Sequence, residues 1–97
     1  MQSSDIFEKS HEASQFLKLL ANPNRLAVLC CLVEQPRNVT ELTQLLEIPQ
    51  AMMSNQLAIL REAGLVDCEV KHRERLYSIH DPKVFEILTL LHKFYCS

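Results

Sequence analysis

The sequence has one glycine among 97 residues, no tryptophan and only six aromatic side chains, four Phe and two Tyr. So little glycine argues against the loop-rich scaffolds of small secreted domains and leaves a chain biased toward helix. An excess of positive charge is also missing. Ten Lys and Arg face twelve Asp and Glu, for a net charge of −2, so any nucleic-acid surface must be local. No uninterrupted apolar run approaches the roughly 20 residues needed to span a bilayer. The opening "MQSSDIFEKS" has neither the basic nor the apolar region of an export signal. These absences predict a cytoplasmic protein with no membrane partner. There is no repeat, low-complexity stretch or linker, so residues 1–97 are read as a single domain with a modest core. Cysteine is the exception to the scarcity. Cys30, Cys31, Cys68 and Cys96 all fall inside periodic helical or strand patterns, where they are expected to be reduced at rest.

The pattern along the chain is mostly helical. From Ser4, a candidate cap, Ile6, Ala13, Phe16, Leu17 and Leu20 recur at helical spacing. In "ANPNRLAVLCCLVEQP" Asn22 is placed to cap and Pro23 to open a second helix, with Leu26, Leu29, Cys30 and Val33 on one stripe and Pro36 closing it. "NVTELTQLLEI" carries a capping-box pair, Asn38 and Glu41, and turns Leu42, Leu45 and Leu46 inward. "QAMMSNQLAILREAG" places Met53, Leu57 and Leu60 on one face and ends at Gly64, a suitable helix stop. Residues 65–70 and 75–79 read as a β-hairpin around a polar bend. Asp81 and Pro82 then start a last helix that is apolar nearly all round, more than so small a chain can bury against itself. The first and last helices are therefore expected to form a homodimer interface. The expected fold is mainly α with a β-hairpin wing, in the order α-α-α-α-β-β-α, a winged helix-turn-helix.

In such a fold the start of the second helix of the pair reaches base edges in the major groove, which requires polar donors and acceptors opposite the core face. Gln50, Ser54, Asn55 and Gln56 fit that requirement: Gln and Asn can pair bidentately with adenine, so the helix can read bases without being strongly basic. Lys71, His72, Arg73 and Arg75 in the hairpin, with Arg61 at the helix end, are candidates for phosphate or minor-groove contact, diluted by Glu69 and Glu74.

"LANPNRLAVLCCL", "VTELTQLLEIPQAMMSNQLAILREAGLV" and "RERLYSI" resemble the ArsR-type bacterial transcriptional repressors across about residues 15–96. The closing "HKFYC", with a cysteine in the second helix, is similar to the subgroup that senses reactive sulfur or oxidants through a cysteine pair. The resemblance implies a homodimeric repressor of double-stranded operator DNA, released when that pair is oxidised or persulfidated, with no cofactor and no enzyme activity. It also implies that the pair is Cys30 and Cys96, with Cys31 the rival for the first position. Pro49, Ala51 and Gln56 depart from the family pattern, so the operator sequence does not transfer.

On helical spacing alone Cys30 belongs to the apolar stripe and is expected to face the interior, with Cys31 turned about 100° away; Cys96 at the last turn is expected to be exposed to oxidants. Metal sensing is the main alternative. Against it, "TELTQLLE" holds no cysteine, Lys83 stands where the family's other site needs a histidine after Asp81, and His92 with Cys96 is half a site. His11, His72 and His80 are expected in solvent. An enzyme built on Cys96 and His92 lacks an oxyanion donor. A winged-helix module that binds protein instead of DNA stays open.

Overall fold

Polar residues start most of the helices, as their spacing predicts. A computed structural model describes residues 3–96 of the chain. Helix α1 (Ser3–Leu20) already includes Ser4, which is therefore a helical residue and not the expected cap. Asn22 is the N-cap of α2 (Pro23–Glu34), its Oδ1 accepting from the Arg25 N–H at 3.1 Å. A two-residue strand, β1 (Arg37–Asn38), precedes α3 (Val39–Leu46). The α3 capping box is complete. The Glu41 N–H donates to Asn38 Oδ1 at 2.8 Å and the Asn38 N–H donates to Glu41 Oε1 at 3.0 Å. Helix α4 (Gln50–Glu62) follows after Glu47, which takes the left-handed conformation that ends α3. Gly64, at φ 80°, ends α4, where a residue with a Cβ would be strained.

Strands β2 (Val66–Lys71) and β3 (Glu74–Ile79) form the wing, paired from Val66↔Ile79 to Lys71↔Glu74. His72 and Arg73 alone make the turn, with φ of 50° and 69°. Two positive angles match the right-handed twist of the flanking strands. Strand β1 adds to the far side of β3, giving the sheet order β1-β3-β2. The short strand escapes sequence reading because two residues carry no alternation. Asp81 caps α5 (Pro82–Tyr95), accepting from the Lys83 N–H at 3.0 Å. The architecture is a winged helix-turn-helix, with α3 and α4 as the helix pair.

One core joins these elements. It contains Val28, Leu29 and Leu32 of α2, Leu42 of α3, Met53, Leu57 and Leu60 of α4, Leu65 and Val66 at the base of the wing, and Val84 and Leu88 of α5. Two expectations need correction. Leu45, read as inward-facing, is 54% exposed because α3 turns only Leu42 fully into the core. On α2 the buried row is Val28, Leu29 and Leu32, so of the expected stripe Leu29 enters the core, Leu26 and Val33 pack against it in part, and Cys30 lies in the groove toward α5. Cys30 is consequently exposed, while Cys31 is half-buried and packs against the core. A helix with apolar residues on most of its circumference has two candidate inward faces, and spacing does not choose between them.

Loss of the capping box tests the helix pair directly. Asn38→Ala should destabilise the protein by about 1 kcal/mol, lowering the melting temperature by roughly 4–8 °C for a chain of this size. Thermal unfolding at fixed protein concentration measures it; an unchanged midpoint would mean α3 does not need its cap.

Candidate nucleic-acid interface and cysteine groove

Thirteen residues make α4 about 20 Å long, enough to lie in a major groove. Met53, Leu57 and Leu60 fix its inner face, leaving Gln50, Ser54, Asn55 and Arg61 exposed on the outside. Gln56 is different: it is 8% exposed, and its Oε1 accepts from Arg25 Nη1 at 3.2 Å. The expectation that Gln56 faces solvent beside Asn55 is therefore corrected. It lies on the same side of α4 as Met53 and Leu60, about 60° or less from each around the axis. Sequence reading also passed over Met52. Its side chain is exposed at the start of α4, with Sδ accepting from Asn24 Nδ2 at 3.3 Å. Its place outside the Met53, Leu57, Leu60 row was the available signal.

The wing carries its cations at the tip and along both edges. Lys71, His72, Arg73 and Arg75 are all exposed, and the two residues in left-handed conformation are a histidine and an arginine. Asn-Gly would adopt that turn with little strain; for most residues the Cβ, close to the following carbonyl oxygen, costs about 1–2 kcal/mol there. The fold thus tolerates strain at the tip of the wing, which carries His72 and Arg73. His80 is exposed as expected but not free, its Nδ1 lying 2.7 Å from Asp67 Oδ2.

The second feature is a groove between α2 and α5. One lobe, of about 450 Å³, is lined by Cys30, Val33, Glu34, Leu88, His92 and Cys96. An adjoining lobe, of about 200 Å³, shares Cys30, Leu88, His92 and Cys96 and adds Leu26 and Tyr95. Residues separated by 66 positions in the chain thus meet in one concavity. Cys96 caps α5, its N–H donating to the His92 carbonyl at 2.8 Å, and is exposed. All four cysteines are free thiols. Partial burial pushes the Cys30 thiol above its ordinary range, reinforced by the neighbouring Cys31 and Cys96 sulfurs and by Glu34. Burial also raises Cys31, with the Arg37 guanidinium opposing and Glu34 adding to the rise. Cys68 stands opposite Tyr77 across the hairpin, away from this groove. Among the described residues, no three His, Cys, Asp or Glu side chains gather at metal-binding distances. No single described helix is long and apolar enough to cross a membrane.

Comparison with known proteins bears on both features. The model of the family described as bacterial regulatory protein, arsR family, matches residues 22–67, from the α2 cap through α4 into β2. The biofilm growth-associated repressor of Xylella fastidiosa is 32% identical over 97 residues, spanning 100% of this chain and 85% of that protein. The transcriptional activator HlyU of Vibrio cholerae is 34% identical over 97 residues, spanning 100% and 90%. The structure of reduced HlyU from Vibrio cholerae N16961 matches with a TM-score of 0.91 at 34% identity, covering 96% of this chain and 98% of that one.

The raised thiols set a pH dependence. A pKa above the ordinary range leaves less thiolate at neutral pH, and the thiolate is the nucleophile. Alkylation of Cys30 by iodoacetamide should thus be slow at about pH 7 and rise about tenfold per unit through the ordinary thiol range. Glu34→Gln should accelerate it by removing a negative neighbour. Peptide mapping of the reduced protein across pH reads both; a Cys30 rate already flat above neutral pH would contradict the burial effect.

Proposed function

This chain belongs to the arsR family of bacterial regulatory proteins, and from that premise we propose that it is a homodimeric repressor released from operator DNA by oxidation or persulfidation of Cys30 and Cys96. The observation that carries the reading is the convergence of those two cysteines, with His92, on the α2–α5 groove. The Xylella fastidiosa relative is named a repressor, and the similar Vibrio cholerae structure is that of a reduced protein. On the DNA side, the support is the exposure of Gln50, Ser54, Asn55 and Arg61 on α4 and of Lys71, Arg73 and Arg75 on the wing. These side chains match what base reading and phosphate contact require. A protein that meets operator DNA and reactive sulfur works in the cytoplasm.

The dimer follows from unburied apolar surface. Phe7 and Leu17 of α1 and Phe85, Leu90, Phe94 and Tyr95 of α5 are all exposed. A two-fold axis through these helices would bury them and set two copies of α4 in successive major grooves about 34 Å apart. The thiol chemistry balances without a cofactor. A Cys96 thiolate attacks the outer sulfur of a low-molecular-weight persulfide, expels the thiolate of that donor, and becomes Cys96 persulfide. The Cys30 thiolate then attacks the inner sulfur and expels hydrosulfide. Two thiols become one disulfide, and the persulfide is reduced to a thiol and hydrogen sulfide. A second persulfide consumed before closure would leave a longer sulfur bridge. Either bridge ties α2 to α5, and α5 also carries the dimer face. A coupling of about 1–3 kcal/mol changes DNA affinity roughly 5- to 150-fold.

Operator selection with the reduced protein, followed by persulfide treatment, tests the reading. Native protein, Cys31→Ser and Cys68→Ser should be released; Cys30→Ser and Cys96→Ser should bind and stay bound. Asn55→Ala should weaken operator binding by about 1–3 kcal/mol, and Arg73→Ala should reduce the salt slope by about one. Release that persists in both Cys30→Ser and Cys96→Ser defeats the switch, and release blocked only by Cys31→Ser moves it to the neighbouring residue.

Sedimentation tests the assembly. The native protein should be a dimer at micromolar concentration, and Leu17→Glu combined with Leu90→Glu should give a folded monomer. A native monomer would overturn the proposed interface.

A further inference from the structure

Gln56 is the one buried polar or charged residue among those described, and its Oε1 accepts from Arg25. Arg25 in turn holds three elements at once. Its Nε donates to the Leu19 carbonyl at 2.8 Å and its Nη2 to the Lys18 carbonyl at 3.3 Å, both in the last turn of α1. Its N–H is the one that Asn22 caps at the start of α2, and its Nη1 reaches α4. One residue earlier, Asn24 reaches Met52 on α4. The first turn of α2 thus makes two polar links to α4, at Met52 and Gln56, four residues and about one helical turn apart. The remaining α2–α4 contact comes from apolar core residues such as Val28, Leu29, Met53 and Leu57. Apolar packing transmits a displacement but is non-directional; hydrogen bonds fix distance to a few tenths of an ångström and also restrict the angle.

We propose that Gln56 is a positioning residue: through Arg25 it sets the rotation of α4, and it transmits a displacement of α2 at the cysteine groove to the DNA-reading side chains. Asn55, the neighbouring residue, is exposed on the reading face. With side-chain tips about 5–6 Å from the helix axis, a rotation of about 10° moves them about 1 Å, enough to misalign a base contact. Arg25 precedes Cys30 by five residues on one rigid helix, about 7.5 Å along its axis. Leu26, next to Arg25, itself lines the groove. A bridge that pulls α2 toward α5 therefore pulls on the Arg25–Gln56 link. The relay rests on the reading of Cys30 and Cys96 as the switch; the positioning role does not.

Gln56→Met keeps the volume and removes the acceptor, and Gln56→Glu keeps an acceptor for the guanidinium. Both are measured by thermal unfolding, by affinity for the selected operator and for random duplex, and by peptide mapping of the Cys30–Cys96 bridge after persulfide treatment. For Gln56→Met the expected result is about tenfold weaker operator binding with random-duplex binding within about twofold. The loss should spread over all base pairs of a half-site, whereas a direct reader loses discrimination at one. The ratio of reduced to treated affinity should fall although the bridge still forms, and Gln56→Glu should restore both. Native operator affinity and an unchanged ratio in Gln56→Met would overturn the inference. So would a loss confined to one base pair. If Gln56→Met does not fold, Arg25→Lys supplies the second test: it keeps the charge without the fork, and native affinity and ratio in that variant likewise overturn the proposal. If native protein is not released by persulfide at all, the switch reading and the relay fail, and the positioning role is decided by operator affinity alone.

Discussion

Almost every other part of the fold is packed against one helix of twelve residues. Helix α2 contacts α1, α3, α4, α5 and β3. No single amphipathic stripe serves so many neighbours, and its surface is divided accordingly. Val28, Leu29 and Leu32 enter the core completely. Leu26, Cys30 and Val33 lie toward α5 and are covered only in part. The first turn is polar and is tied by Asn24 and Arg25 to α1 and α4. Close packing means that such a helix moves only with its neighbours. A chemical event on α2 is thus an event for the whole domain.

That division also sets the different surroundings of the two adjacent thiols. Cys31 packs against the core, and Arg37 Nε donates to its carbonyl at 3.2 Å. Cys30, one residue along, lies in an open groove whose other wall is α5. The opposite wall contributes His92, Cys96 and Leu88, so the groove ends where the core begins. The same α5 exposes Phe85, Leu90 and Phe94 beyond the groove, and Tyr95 at the groove's edge. A helix that is apolar all round is thereby shared among a core contact, a thiol groove and an open face. The net charge is −2, and four of the ten Lys and Arg residues, Arg61, Lys71, Arg73 and Arg75, lie on the wing and at the end of α4.

Most element boundaries were legible because their causes are local. Asn22 with Pro23, Asn38 with Glu41, Gly64, and Asp81 with Pro82 act within three or four residues of themselves, and each stands where its spacing placed it. The inner face of α4 was legible for a related reason, since Met53, Leu57 and Leu60 form its one apolar row. Strand β1 was not, because two residues have no period and their partner, β3, is nearly 40 positions away.

The sequence by itself determined the helices, their caps, the wing and the residue types available for DNA and for thiol chemistry. Tertiary structure alone decided which of two apolar faces of α2 became interior, and so exposed Cys30 and half-buried Cys31. It likewise drew Gln56 inward onto Arg25, 31 residues away, while Asn55 stayed outside. The physical reason is the same in each case. Periodicity states which residues of a helix share a face, but burial depends on what another segment brings to that face, and those segments come from distant parts of the chain.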